Sequence, residues 1–304
     1  MAETEESKAF EDEAASGHDY DDAFRTMCVD CGYLLLPVIN EIFGEHYRGD
    51  EKMEFYANEK FIERPLGKTD KRITDSDFKV SGKRYHLEAE SSEHDRTMLI
   101  RMFEYDTQIS LLDAEVAGNE LHVRFPRSAV IQLKSNSKTP DEMIIVIETP
   151  GSDGRYTVPV IKVKNYTIED IFEKKLYMFI PFYIFRHTKG FKKYDEDENS
   201  IGIKRMKKEY SDIFDRLEEV RDGGGIDRLT YDCILGMSIK VLEKASEKYE
   251  NVRKGVKSVM GGRVLDYPGR KEYYEGVGVG RKQGIEQGIE QGIEQGIEQG
   301  DENR

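Results

Sequence analysis

The chain has few cysteines and no long apolar run. Its 304 residues contain three cysteines, an odd number that does not indicate the disulfide framework of a small secreted protein. No apolar stretch reaches the roughly 18 residues that a membrane-spanning helix requires. The first residues also lack the order of charged, apolar and small residues that marks a signal peptide. We therefore expect a cytoplasmic protein with no membrane partner.

Basic charge is also scarce. The chain has 46 lysines and arginines against 60 acidic residues, which gives a net charge of −14. Contacts to nucleic-acid phosphates need basic side chains, so this balance argues against a general nucleic-acid binder and leaves only local basic patches for that role. Nine acids and one lysine fall within residues 1–24. This composition predicts an acidic disordered arm over residues 1–19.

Two strand patterns that meet at a Ser-Gly turn organise the chain. The first covers residues 72–80 and carries Asp75 and Asp77, and the second covers residues 84–91. Because side chains alternate along a strand, the second pattern places three polar residues on one face: His86, Glu88 and Glu90. Carboxylates from two adjacent strands would therefore meet.

The acids of the two predicted strands would need a positive counterion if they lie close together. An amphipathic helix pattern follows the second strand, with apolar residues spaced for one face from Met98 to Ile109. Clustered carboxylates repel one another and cost free energy when they are buried. Oxygen ligands of this kind suit Mg²⁺ or Mn²⁺. The plainer alternative is that the alternating acids form the solvent face of a half-exposed sheet.

The remaining patterns predict a mixed α/β fold followed by helices. Residues 20–43 read as a helix that begins at Asp21-Asp22, and Pro37 is expected to kink it or divide it in two. A period of two with β-branched residues between 121 and 164 predicts an extra β region. The chain beyond that region reads as mostly helical, with Gly223-Gly224-Gly225 between two helices.

We expect four segments from these patterns: the acidic arm over 1–19, an α/β domain over 20–190, a helical annex over 191–275 and a repeat tail over 276–304. In the tail, Gly-Ile-Glu-Gln recurs four times from Gly284. A glycine in every turn costs a helix roughly 1 kcal/mol per residue, so a solvated or weakly helical tail is expected. The alternative is that the tail is a homo-oligomerisation element.

The runs RITDSDF, YHLEAES and RMFEYD resemble the motifs of the PD-(D/E)XK nuclease superfamily. More narrowly, they resemble its recombination-promoting, transposase-like branch. The likeness covers most of residues 19–190, and a glycine-repeat tail also occurs in members of that branch. It implies a restriction-endonuclease-like mixed sheet flanked by helices, and a metal-dependent endonuclease that acts on DNA.

Carried over by position, the resemblance assigns Asp75 and Glu88 as catalytic acids that bind Mg²⁺ or Mn²⁺, with the carbonyl group of Ala89 as a further ligand. Glu90 stands where the superfamily usually has lysine and this branch more often has glutamine. It is expected to add a ligand, to leave water activation to the metal, or to impair activity. Glu41 matches the accessory metal-binding acid that some members place on the first helix.

Three further residues are candidate substrate contacts: His86, Arg101 and Tyr105. Arg101 and Tyr105 follow the acidic strand on the helix, where members of the family carry basic and aromatic residues. The alternatives are that Arg101 pairs with an acid, that Tyr105 packs in the core, and that His86 is a plain surface residue. Asp77 is the alternative to Asp75 as the motif acid.

Three functions fit these observations. The first is a Mg²⁺-dependent DNA endonuclease of the recombination-promoting type. The second is a catalytically inactive protein of the same fold that binds nucleic acid or a partner, which the acidic charge and the substitution at Glu90 favour. The third is a purely structural or oligomerising role with the repeat tail as the assembly element.

Overall fold

The computed structural model of the protein describes residues 20–56, 59–64, 68–91 and 97–260, with only the backbone described over 59–64 and 68–73. The expected acidic arm and the repeat tail lie outside the described residues. Everything below concerns the described part of the chain.

The first helical pattern folds as two helices. Helix α1 covers Tyr20–Asp30 and helix α2 covers Leu35–Phe43, with a 3₁₀ turn at Gly32–Leu34 between them. The division therefore falls before Pro37, which lies in the first turn of α2, where the missing amide hydrogen costs nothing. Among the described helices, none is by itself long and apolar enough to cross a membrane; α1 and the stretch to Phe43 pass that test only as a pair bent by 105°.

The described residues form ten strands. Their bounds are β1 Met53–Phe55, β2 Glu59–Arg64, β3 Lys68–Ile73, β4 Ser76–Val80, β5 Lys83–Glu90, β6 Glu115–Ala117, β7 Glu120–His122, β8 Arg127–Gln132, β9 Glu142–Glu148 and β10 Asp153–Lys162. Six of them build one sheet in the order β1-β4-β5-β8-β10-β9, and the pairs β2–β3 and β6–β7 are separate hairpins. The extra β region therefore supplies three strands of the main sheet.

Six further helices follow the hairpin of β4 and β5. They are α3 Thr97–Leu112, α4 Ile168–Glu173, α5 Phe191–Asp195, α6 Ile201–Asp222, α7 Arg228–Ala245 and α8 Glu250–Met260. A 3₁₀ segment, Tyr177–Arg186, precedes α5 and is almost entirely buried. The three adjacent glycines at 223–225 separate α6 from α7, as the sequence predicts.

The order of the strands follows from the lengths of their connections. Strands β4 and β5 are antiparallel and are joined by a tight turn in which Ser81 and Gly82 both have positive φ, at 49° and 79°. Strands β5 and β8 are parallel, so the chain must cross over between them, and α3 lies in that crossover. The fold is therefore a mixed α/β fold with a six-stranded mixed sheet flanked by helices, and the restriction-endonuclease-like form remains a prediction.

Both faces of β5 are covered. Tyr85, Leu87 and Ala89 are buried on one face, where the ring of Tyr85 lies 5.6 Å from that of Phe43 in α2. The opposite face carries the polar residues and lies under α3, so these residues do not form a solvent face. This burial of a polar strand face is the feature that builds the site.

One end of this polar face is closed by an ion pair. Asp77 is buried and the side chain of Arg84 is only 7% exposed; Nε and Nη2 of Arg84 donate to the two carboxylate oxygens of Asp77, both at 2.8 Å. Asp113 also accepts from Arg84 Nη1 at 2.8 Å. The alternative motif acid, Asp77, is therefore engaged in a buried structural pair.

Arg84→Met should lower the free energy of unfolding by about 3–5 kcal/mol, because it removes the arginine that pairs with the buried carboxylate of Asp77. Urea denaturation measures this loss. The matched control is Arg124→Met, which removes an arginine that binds Glu115 through two nitrogens, both at 3.2 Å, on the exposed surface. An equal loss in the two variants would contradict the importance of burial.

Candidate active site

The pairing of β4 with β5 brings two of the predicted acids together. The register places Asp77 opposite His86 and Ser76 opposite Leu87, so Asp75, the residue directly before β4, comes next beside Glu88. The carboxylate of Glu88 accepts a hydrogen bond from the backbone amide of Asp75 at 3.0 Å, and that of Asp75 accepts one from Ala89 at 2.8 Å. Asp75 and Glu88 are 4% and 3% exposed, so the two acids form a buried neighbouring pair.

The third predicted acid, Glu90, is paired with an arginine. Nη2 of Arg101 lies 3.3 Å from Oε2 of Glu90 and 4.0 Å from Oε2 of Glu88. Arg101 comes from α3, which crosses over this end of the sheet. The positive charge beside Glu90 is therefore supplied by the helix.

A second arginine reaches the pair from α1. Nε of Arg25 lies 3.1 Å from Oδ1 of Asp75. Burial raises the pKa of Asp75, the neighbouring Glu88 raises it further, and Arg25 opposes the shift without cancelling it. Asp75 therefore holds its proton more tightly than an ordinary aspartate, even with a cation beside it.

Asp21 is a fourth acid, and the sequence analysis treated it only as a helix-capping residue. Burial raises the pKa of Asp21 to about 7, with the charges of Glu90 and Glu88 adding to the rise and those of Arg101 and Arg25 opposing it. Its Oδ1 atom is buried and has no hydrogen-bond partner among the described residues. Asp21 thus lies within the electrostatic field of the acid pair.

The sequence does contain a feature that indicates the position of Asp21, namely its helical spacing from two other residues. Asp21, Arg25 and Cys28 are four and three residues apart, which places them on one face of α1. Burial raises the pKa of the Cys28 thiol, and the charges of Asp75 and Glu88 contribute to that rise. One face of α1 is therefore turned toward the acids.

Glu41, the predicted accessory acid, lies in a different environment. Its Oε1 atom accepts hydrogen bonds from Nζ of Lys174 at 2.7 Å and from the hydroxyl of Tyr166 at 3.0 Å. The acid that α1 and α2 contribute beside Glu88 is Asp21. Glu41 is thus engaged by Lys174 and Tyr166, and its role as an accessory acid stays a prediction.

His86 and Tyr105 lie below the acids and away from the surface. His86 is fully buried, and its ring contacts that of Tyr105 edge-on at a centroid distance of 5.7 Å. Nδ1 of His86 is 2.7 Å from Oδ1 of Asp106, and Nε2 is 3.0 Å from Oε1 of Glu88. Burial alone would lower the pKa of His86, but these two carboxylates raise it to about 10. Of the three predicted substrate contacts, His86 and Tyr105 are therefore buried, and Arg101 is partly exposed.

The donors at this site fit a divalent cation in chemical type and in charge. Asp21, Asp75, Glu88 and Glu90 carry a formal charge of −4 when ionised, against +2 on Arg25 and Arg101. In the described residues, however, no three Asp, Glu, His or Cys side chains converge closely enough to hold a metal ion. A cation would therefore require some carboxylates to turn away from their present partners.

Comparisons with protein-family models, with curated proteins and with solved structures found no match to this chain.

Asp21→Asn should change how stability depends on pH. The pKa of Asp21 is raised in the folded state, so between about pH 4 and pH 7 the folded protein keeps a proton that the unfolded chain has lost. The free energy of unfolding therefore falls as the pH rises through this range, and the variant escapes that fall. Its advantage over the wild type should grow by roughly 2 kcal/mol between pH 5 and pH 8.

Urea unfolding in the presence of EDTA at several pH values measures this difference. The matched control is Asp22→Asn, which makes the same change at the adjacent, exposed carboxylate. A gap of the same size and the same pH dependence in the control would contradict the assigned environment of Asp21.

Proposed function

We propose that the protein is a divalent-metal-dependent endonuclease that hydrolyses phosphodiester bonds in DNA. The observation that carries the proposal is the buried pair of Asp75, directly before β4, and Glu88 of β5, with an oxygen of Asp21 in their electrostatic field that has no hydrogen-bond partner among the described residues. The motif resemblance supplies the class of substrate. The six-stranded mixed sheet flanked by helices is compatible with the fold that the resemblance implies.

Charge supports the choice of a cation. Burying carboxylates side by side costs free energy through desolvation and repulsion, and a protein retains such groups where a cation or a reaction uses them. Two arginines leave two of the four negative charges uncompensated when all four acids are ionised. A divalent ion would balance that remainder, and oxygen ligands suit Mg²⁺ or Mn²⁺.

The residues divide into two roles. Asp75, Glu88 and Asp21 would hold the ion through carboxylate oxygens, and the ion would supply Lewis acidity at the scissile phosphate. Arg101 is the partly exposed cation beside them, with its side chain 31% exposed, and would contact a phosphate oxygen. Glu90 fixes Arg101 through their 3.3 Å ion pair.

The alternative is a catalytically inactive protein of the same fold that binds nucleic acid or a partner. One observation favours it: Arg25 and Arg101 already contact the acids, and no three metal-ligating side chains converge in the described residues. In that case the two arginines are permanent counterions of the acids, at a site that has lost its metal and its activity.

Nicking of supercoiled plasmid in Mg²⁺ or Mn²⁺ tests the proposal. Asp75→Asn and Glu88→Gln should each lower the rate by about 100-fold, because each removes a charged ligand while nearly preserving side-chain shape. The control is Glu54→Gln, which makes the same chemical change at an exposed glutamate and should leave the rate unchanged.

Equal nicking by the wild type and by both site variants would assign the activity to a contaminant and overturn the proposal. A wild type that binds DNA but does not cut it in either metal would favour the inactive binding protein.

A further inference from the structure

His86 occupies an unusual place for an ionisable side chain. It is fully buried on the polar face of β5, with one ring nitrogen on Asp106 and the other on Glu88. Each ring nitrogen therefore lies within hydrogen-bond distance of a carboxylate, and the ring joins Asp106 of α3 to Glu88 of β5.

The far side of this arrangement is firmly anchored. Asp106 accepts from three groups: His86 Nδ1 at 2.7 Å, the hydroxyl of Ser128 at 2.6 Å and the hydroxyl of Tyr156 at 3.0 Å. These donors come from β5, β8 and β10, so the carboxylate of Asp106 is tied to three strands of the sheet. Such a fully satisfied network holds its members in one arrangement.

The near side leaves one oxygen of Glu88 available. Oε1 accepts from His86 Nε2 and from the amide of Asp75, each at 3.0 Å. Oε2 lies 4.0 Å from Arg101 on the partly exposed side of the site. A glutamate side chain has three rotatable bonds, so its carboxylate can turn. The two hydrogen bonds to Oε1 hold it in one orientation, in which Oε2 points toward the partly exposed side of the site.

We propose that His86 is a positioning residue that fixes the carboxylate of Glu88, so that Oε2 alone is presented to a divalent cation. Asp106, held by Ser128 and Tyr156, fixes His86 in turn. This inference rests on the proposed function, because it assigns the way in which one ligand of that site is oriented. Outer partners of metal ligands commonly have this effect, since a ligand held in one orientation binds without first losing its freedom.

Two substitutions separate the contacts of His86. In His86→Asn, the shorter side chain carries its amide near the position of Nδ1 and can still donate to Asp106, but it cannot reach Glu88. In His86→Gln, the amide lies near the position of Nε2 and can still donate to Glu88. The matched control is His187→Asn, because His187 is another buried histidine, 2.7 Å from the carboxylate of Glu209 in the helical region.

The experiment measures the Kd for Mn²⁺ of each full-length protein by the electron paramagnetic resonance of free Mn²⁺, together with the Tm without metal. His86→Asn should weaken Mn²⁺ binding by about 10-fold, and His86→Gln should weaken it less. His187→Asn should keep the Kd of the wild type while its Tm falls. A purely structural role would lower the Tm of all three variants and leave every Kd unchanged.

An unchanged Kd in His86→Asn overturns the positioning role, as does a wild type that binds no Mn²⁺. If His86→Asn does not fold, His86→Gln and Asp106→Asn take its place. The positioning role is supported if His86→Gln keeps the Kd of the wild type while Asp106→Asn weakens Mn²⁺ binding. It is overturned if both variants have the Kd of the wild type. Plasmid nicking is scored separately. A wild type that binds Mn²⁺ with the predicted order of affinities but cuts no DNA refutes the endonuclease and keeps the positioning role.

Discussion

The site depends on two carboxylates that strand pairing forces together. Asp75, directly before β4, and Glu88 of β5 lie side by side where water is excluded and their repulsion is weakly screened. One arginine from α1 and another from α3 offset this cost, the first 3.1 Å from Asp75 and the second 3.3 Å from Glu90 and 4.0 Å from Glu88. Two helices are therefore needed to make the buried acid pair tolerable.

The polar face of β5 changes character along its length. At one end Arg84 and Asp77 form a closed pair with both members buried. In the middle His86 is held from two sides, and at the far end Glu88 and Glu90 meet an arginine that is partly open to solvent. Rigidity at one end and access at the other are what a binding site for a small cation and a phosphate needs, because the ligands stay fixed while the substrate can enter.

Local patterns predicted the elements that carry the site. The turn at residues 81–82, the alternation of β5 and the helix over Thr97–Leu112 follow from short-range periodicity, which needs no knowledge of the rest of the fold. The burial of His86 could not be predicted in this way, because it depends on α3 covering a face that the alternation marks as polar. The position of Asp21 in the field of the acid pair could not be predicted for a similar reason: proline is a strong break signal, but the helix ends at Asp30, before Pro37.

The anchoring of α1 has a consequence for the order in which the protein is made. The ring of Tyr20 lies 4.9 Å from that of Phe185, and Phe24 lies 6.3 Å from Phe182, so α1 rests on the 3₁₀ segment. A ribosome releases the acid-bearing hairpin well before that segment, since chains emerge from the N-terminus at about 5–20 residues per second. On the nascent chain α1 therefore cannot pack on the 3₁₀ segment until some hundred further residues have emerged. Arg25, which α1 carries, can take its place beside Asp75 only after the aromatic residues of that segment have left the exit tunnel.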